Sequence, residues 1–156
     1  MRDVELKIKR LPHCKAMPGY ATAGSAGLDL CAAIEEPITL ASGERLRMPT
    51  GIVVAIDEGF EGQVRARSGL ADRAGIGLTI SIGTIDSDYR GEVQVLLINH
   101  GKTSYTFEPG ERIAQLVIAP VTKVQLVEVQ DLGAGTVRGE GGFGSTGRAI
   151  LQSRGS

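Results

Sequence analysis

The sequence predicts an all-β domain, a sandwich or barrel, followed by a glycine-rich tail. Three observations predict it. Short apolar runs recur roughly every 8–12 residues with turn residues between them. Most runs alternate apolar and polar positions, the period of a strand with one face in water. That alternation ends near Leu132, and glycine dominates beyond it.

Taken in order, Val4, Leu6 and Ile8 alternate with Glu5, Lys7 and Lys9, a half-exposed strand. Leu28 and Leu30 flank Asp29 in a second, short run. Ile38 to Leu40 and Arg45 to Met48 read as strands joined by the turn residues Ser42-Gly43-Glu44. Ile52 to Ile56 is a continuous apolar run, the pattern of a buried strand, and Asp57-Glu58-Gly59 turns after it. Gln63 to Arg67, Leu78 to Ile82, Val93 to Ile98, Ile113 to Ile118 and Val124 to Val129 complete the set. Only Gly69 to Arg73 suggests a helical turn. All six prolines lie between apolar runs or at their ends, where a missing N–H does least damage.

The chain has 156 residues, enough for one domain with its own core. Aromatic residues are 4% and Trp is absent, so that core must be aliphatic. The natural division is a core domain over residues 1–131 and a flexible arm over 132–156. The arm is too poor in apolar residues to bury a core of its own.

Net charge is −1, so no basic excess points to a nucleic-acid polymer. A small anion remains a candidate ligand, because local arginines govern it more than net charge does. Cys14 and Cys31 are the only cysteines. They lack zinc-site spacing and imply no disulfide framework, which suits a reduced, cytoplasmic setting. No run approaches the ~20 apolar residues of a membrane span. The opening MRDVELKIKR carries charge but no apolar stretch of a signal peptide.

Five segments stand out from this aliphatic background. In Ala26-Gly27-Leu28-Asp29-Leu30, Asp29 faces away from its leucines; a solvated carboxylate is the plain alternative. In Arg67-Ser68-Gly69-Leu70-Ala71, a strand enters a helical start, where free N–H groups suit phosphate oxygens. A simple serine cap reads equally well. Gly83 to Glu92 crowds Asp86, Asp88 and Tyr89 into one turn. A carboxylate so placed can take a proton from water, and a polar hairpin turn is the competing reading. In Gly110 to Leu116, Gln115 interrupts an aliphatic strand and needs partners, structural or ligand. In the tail, Arg138, Phe143, Ser145 and Thr146 offer a guanidinium, a flat ring and two hydroxyls. Those groups suit a segment that closes over a nucleotide.

Together and in this order, AGLDL, RSGLA, GTIDSDYRGE, GERIAQL and RGEGGFGSTG resemble the five motifs of the trimeric dUTPase family. The resemblance runs from residue 26 to 147. It implies a jelly-roll-like β domain and a homotrimer with shared active sites. The RSGLA and AQL segments would come from one subunit, the hairpin from a second and the tail from a third. It implies dUTP as substrate, hydrolysed to dUMP and pyrophosphate, with no nucleic-acid polymer and no membrane as partner.

By position, Asp86 matches the carboxylate that orients and deprotonates the attacking water. Tyr89 matches the ring packed on the deoxyribose, which leaves no room for a 2′-hydroxyl. The backbone from Ile80 to Gly83 would read the uracil edge. Arg67, Ser68, Gly69 and Gln115 match phosphate contacts, with Ser68 near the α–β bridging oxygen. Phe143 would stack on uracil with Gly144 beside it. Arg138, Ser145 and Thr146 would hold the terminal phosphates. Mg²⁺ is implied as cofactor, bound through the triphosphate and water, with Asp29 a supporting network residue and not a direct ligand.

Two positions depart from the family pattern. Ala66 stands where a proline is frequent, and Ile80 where an asparagine is frequent. The second leaves base recognition to the main chain. A related deaminase of dCTP, a signalling nucleotide-binding trimer and a purely structural jelly roll are the competing assignments. The Asp86–Tyr89 hairpin and the complete tail favour the hydrolase.

Overall fold

The computed structural model describes residues 4–133, 135–143 and 145. Its first strands are β1 (Lys7–Arg10), β2 (Gly19–Tyr20), β3 (Leu28–Cys31), β4 (Ile38–Leu40), β5 (Arg45–Ala55) and β6 (Phe60–Ala66). Helix α1 (Ser68–Ala74) follows. The remaining strands are β7 (Ile76–Leu78), β8 (Gly83–Ile85), β9 (Glu92–Asn99), β10 (Tyr105–Phe107) and β11 (Arg112–Pro120). All pairings are antiparallel. They form a four-stranded sheet in the order β1-β5-β9-β7, a five-stranded sheet β2-β3-β11-β6-β8 and a two-stranded pair β10-β4. This is the all-β, jelly-roll-like architecture with a single short helix.

Period-2 patterning explains how the large sheets share one core. Along β9, Val93, Val95 and Leu97 are buried while Gln94 and Leu96 face outward. Met48, Ile52 and Val54 of β5 join the same cluster as Leu30 of β3, Val64 of β6 and Leu116 of β11. Phe107 is the one aromatic side chain of that cluster, so the core is aliphatic in substance. Asn99 is fully buried and fully occupied. Its amide donates to the Leu40 (3.0 Å) and Thr103 (2.9 Å) carbonyls and accepts from the Gly101 N–H at 2.8 Å.

The two runs expected at Arg45–Met48 and Ile52–Ile56 are one strand, bent by a bulge. Pairing of β5 with β9 shifts register between Pro49 and Val53. Gly51 lies there at φ 69°, and a Cβ on it would sit 2.4 Å from the Cys14 Cα. Only glycine meets both demands. Side chains replace the ladder bonds lost at the bulge. Glu92 Oε1 accepts from the Gly51 N–H at 2.7 Å, and Thr50 Oγ1 donates to the Val93 carbonyl at 2.5 Å.

Other expectations also differ from the structure: the alternating run that starts at Val4 becomes strand only from Lys7, as β1. The run Leu78–Ile82 leaves the sheet after Leu78; Ile80 and Ile82 are exposed in the loop before β8. The short strands β2, β8 and β10 were not signalled by alternation. Val124–Val129 forms no strand among the described residues, and Val124, Leu126, Val127 and Val129 are exposed. Alternation makes a strand only where a partner takes the backbone groups.

The chain divides into two units, Met1–Lys123 and Val124–Ser156. The described part of the second holds turns only. Gly139 N–H donates to the Thr136 carbonyl (3.0 Å), Gly141 N–H to that of Arg138 (3.1 Å) and Ser145 N–H to that of Gly142 (2.9 Å). Among the described residues no helix is long and apolar enough to cross a membrane.

Candidate active site

Most of the site residues read from the sequence fall into two clefts of the first unit. The first, about 340 Å³, opens between the outward side chains of β5 and β9 and the β8–β9 connection, which was expected as a hairpin turn but joins strands of two different sheets. Ile80, Gly83, Asp86 and Tyr89 line it, together with Arg47, Glu92, Gln94 and Leu96. Gly83 pairs with Val64 of β6, and a Cβ there would lie 3.2 Å from the Val64 Cβ. Glycine thus lets β8 close down on β6. Thr79 N–H donates to the Leu96 carbonyl at 2.8 Å; from there to Gly83 the main chain runs outside the ladder. Among the described residues the peptide groups of 80–82 have no ladder partner, and they lie between the exposed side chains of Ile80 and Ile82.

Asp86 directly follows β8 and is exposed. The turn after it is held from within. Tyr89 N–H donates to the Asp86 carbonyl at 3.1 Å, and Arg90 Nη1 donates to the Ser87 (2.6 Å) and Tyr89 (2.8 Å) carbonyls. The Tyr89 hydroxyl donates to the Glu92 carbonyl at 3.0 Å. Its ring crosses Gly91, where a Cβ would lie 2.3 Å from the phenolic oxygen.

The second cleft, about 260 Å³, is lined by Asp29, Arg67, Ser68, Gly69 and Gln115, with Gly27 and its neighbours. Sheet register gathers them. Gln115 of β11 lies between Asp29 of β3 on one side and Arg65 of β6 on the other. Arg67 and Ser68 follow where β6 passes into α1. Arg67 occupies the N-cap position with no side-chain cap, so Ser68 is the first helical residue and not the capping serine. Asp29 engages two guanidinium groups: Arg67 Nε at 3.3 Å and Arg112 Nη1 at 3.0 Å. Arg67 Nη1 also donates to the Arg112 carbonyl at 3.1 Å. The cations are therefore tethered, with donors left over for an anion. Burial first, and then the Asp29 carboxylate, raise the Cys31 thiol pKa against the lowering pull of Arg112 and Arg67. Gln115 Nε2 donates to the Ala66 carbonyl at 3.2 Å. A Cβ on Gly27 would sit 2.6 Å from Gln115 Oε1, so glycine is what admits that amide.

The first cleft thus combines apolar side chains with the Tyr89 ring and the Asp86 carboxylate, and the second sets the Arg67 guanidinium beside Ser68 and Gln115. That division suits a nucleoside and a polyphosphate. A sequence model of the dUTPase family matches residues 14–147. The chain belongs to the dUTPase family. A deoxyuridine 5'-triphosphate nucleotidohydrolase of Anaeromyxobacter sp. (strain Fw109-5) is 60% identical over 132 residues, 85% of this chain and 88% of that protein. Its counterpart in Methylocella silvestris is 57% identical over 148 residues, 92% of each. Among solved structures, the dUTPase of Staphylococcus bacteriophage 80alpha with dUPNHPP superposes with a TM-score of 0.83 at 30% identity. It covers 92% of this chain and 99% of that one.

Within this dUTPase-family chain, the tail residues stand in the second unit. Arg138 Nε donates to the Gly141 carbonyl at 2.7 Å. Phe143 is fully exposed at φ 49°, a left-handed backbone rare for an L-residue. Ser145 is placed by its turn with Gly142. Gly144 and Thr146 lie outside the described residues. Sequence reading missed Arg47, Glu92, Gln94 and Leu96 in the first cleft and Arg112 beside the second. Arg112 lies within the GERIAQL segment, but three residues from Gln115 a regular strand would face it the other way; the register shift between Arg112 and Ala114 brings it to Asp29. Arg47 and Gln94 offered none, because only the β5–β9 pairing brings them to the hairpin.

Proposed function

We propose that the chain is a dUTP diphosphatase that hydrolyses dUTP to dUMP and pyrophosphate, lowering dUTP and supplying dUMP for thymidylate synthesis. The observation that carries this is the division of chemistry between the clefts. A ring and free peptide groups stand around Asp86, and guanidinium groups stand around Gln115.

In this reading uracil lies against the Ile80–Gly83 main chain, and Tyr89 packs on the deoxyribose where a 2′-hydroxyl would collide. Asp86 accepts a proton from water as that oxygen attacks the α-phosphorus. The bond from α-phosphorus to the α–β bridging oxygen breaks, and pyrophosphate takes its electron pair. Ser68 donates to that oxygen as charge grows on it, with Arg67, Gly69 and Gln115 on the phosphates. Phe143 and Gly144 cover the base, and Arg138, Ser145 and Thr146 hold the terminal phosphates. Residues 132–156 act as the arm that brings them.

Both Asp29 oxygens already face guanidinium groups, so the carboxylate supports the cations and does not present itself to a metal. Mg²⁺ fits this donor set as an ion carried by the triphosphate and water, where it supplies charge neutralisation. Two clefts that share no lining residue support a homotrimer in which one chain's hairpin and another's arginines meet on one substrate. The setting proposed is cytoplasmic, in keeping with two free cysteines.

The test is turnover of dUTP, dCTP, UTP and dTTP with Mg²⁺, reading pyrophosphate and the nucleoside product. Pyrophosphate and dUMP from dUTP alone support the reading. Deamination of dCTP, or equal hydrolysis of UTP, overturns it.

A further inference from the structure

The N-terminal loop reaches the hairpin through a chain of hydrogen bonds. Leu11 N–H donates to the Gly51 carbonyl at 2.8 Å, and buried Cys14 packs on Gly51. Between them, His13 Nε2 lies 2.7 Å from Glu92 Oε1, the oxygen that also accepts from the Gly51 N–H at 2.7 Å. Glu92 therefore has both ends engaged. Its carboxylate sits in the β5 bulge against His13, and its carbonyl accepts the Tyr89 hydroxyl at 3.0 Å. Tyr89 N–H in turn binds the Asp86 carbonyl at 3.1 Å.

Glu92 alone would satisfy the Gly51 N–H. What His13 adds is a second contact on the same oxygen, Oε1, which limits the freedom of the Glu92 side chain and of the start of β9 that it anchors. That freedom matters because Tyr89 is 45% exposed and lies over a glycine. Little packing holds the ring, so its hydroxyl bond to residue 92 sets its position.

We propose that His13 and Glu92 are positioning residues that clamp the sugar-facing ring of Tyr89 and so sharpen the choice of deoxyribose over ribose. This rests on the reading of Tyr89 as the ribose-excluding ring. His13 does not line the cleft; it acts through Glu92, whose carbonyl accepts the Tyr89 hydroxyl.

The experiment compares kcat/KM for dUTP and UTP in His13→Ala and His13→Gln, each made alone and with Tyr89→Ala. His13→Ala is expected to lower the dUTP-to-UTP ratio by about three- to ten-fold, the size of coupling between residues in one network. The urea midpoint should stay near that of the unaltered protein. His13→Gln restores most of the ratio, because its amide also donates to a carboxylate. With Tyr89→Ala present, His13→Ala causes no further change, whereas a merely structural loss would add. An unchanged ratio in His13→Ala, beside a collapsed one in Tyr89→Ala, overturns the clamp alone. An unchanged ratio in Tyr89→Ala overturns the ribose-exclusion reading and the clamp with it.

Discussion

Replacing Asp29 by asparagine tests how the cationic cleft is held. The change keeps shape and volume but removes one charge from between two guanidinium groups. An asparagine oxygen can face one arginine; its NH₂ then turns on the other. The two contacts are unequal. The Arg67 side chain is 26% exposed and that of Asp29 17%, so this pair is partly shielded from water. Arg112 is 53% exposed, and its share must be discounted for solvent screening. Contacts to charged groups run to about 1.5–3 kcal/mol when shielded, and exposed pairs to about 0.2–1 kcal/mol. At 3.3 Å the Arg67 contact belongs at the low end of its range. The sum is about 2 kcal/mol, or roughly thirty-fold in an equilibrium. Urea unfolding should register part of this as a lowered midpoint. Steady-state kinetics should show the rest, mostly as a raised KM, because a loosened Arg67 also loses its hold on the Arg112 carbonyl. An Asp29→Asn protein with unchanged midpoint and unchanged KM would refute the tethering argument.

Asp86→Asn should lower kcat by ~10²-fold or more while a non-hydrolysable dUTP analogue still binds in calorimetry; ordinary turnover removes Asp86 from the mechanism. Truncation before Arg138 should leave a folded protein by circular dichroism with little activity, and full activity would discard the closing arm. Tyr105 gives a pH prediction. Burial first, and then its hydrogen bond to Glu111, raise its hydroxyl from 10.0 to about 12. Its contribution to stability is therefore complete below pH 10 and is lost as pH rises toward 12. The melting-temperature advantage over Tyr105→Phe should shrink across that window, and a constant difference would contradict the assignment.

What could be read in advance depended on how local its cause was. The buried positions of β9 follow alternation, since one side of a sheet writes itself into every second residue. Ile80 and Ile82 misled because an apolar side chain in a strand and one beside an open cleft look alike in a sequence. Arg47 entered the first cleft, and Arg112 reached Asp29, through pairings between distant segments. His13 is a further case: it lies 79 positions from Glu92 in the sequence, and the bulge at Gly51 brings them together. The family motifs marked which segments matter. They did not mark the scaffold groups that aim them.

Strand β6 counts as well as connects. Its seven residues carry Val64, the floor beneath the hairpin, and deliver Arg67 just past their end. Side chains alternate along a strand, so one residue inserted between these positions would turn Arg67 away from Asp29. Its length is a gauge block set between the two halves of the chemistry. Insertions and deletions can accumulate in the loop after Asp57, but within Phe60–Ala66 a lineage can exchange residues and not change their number.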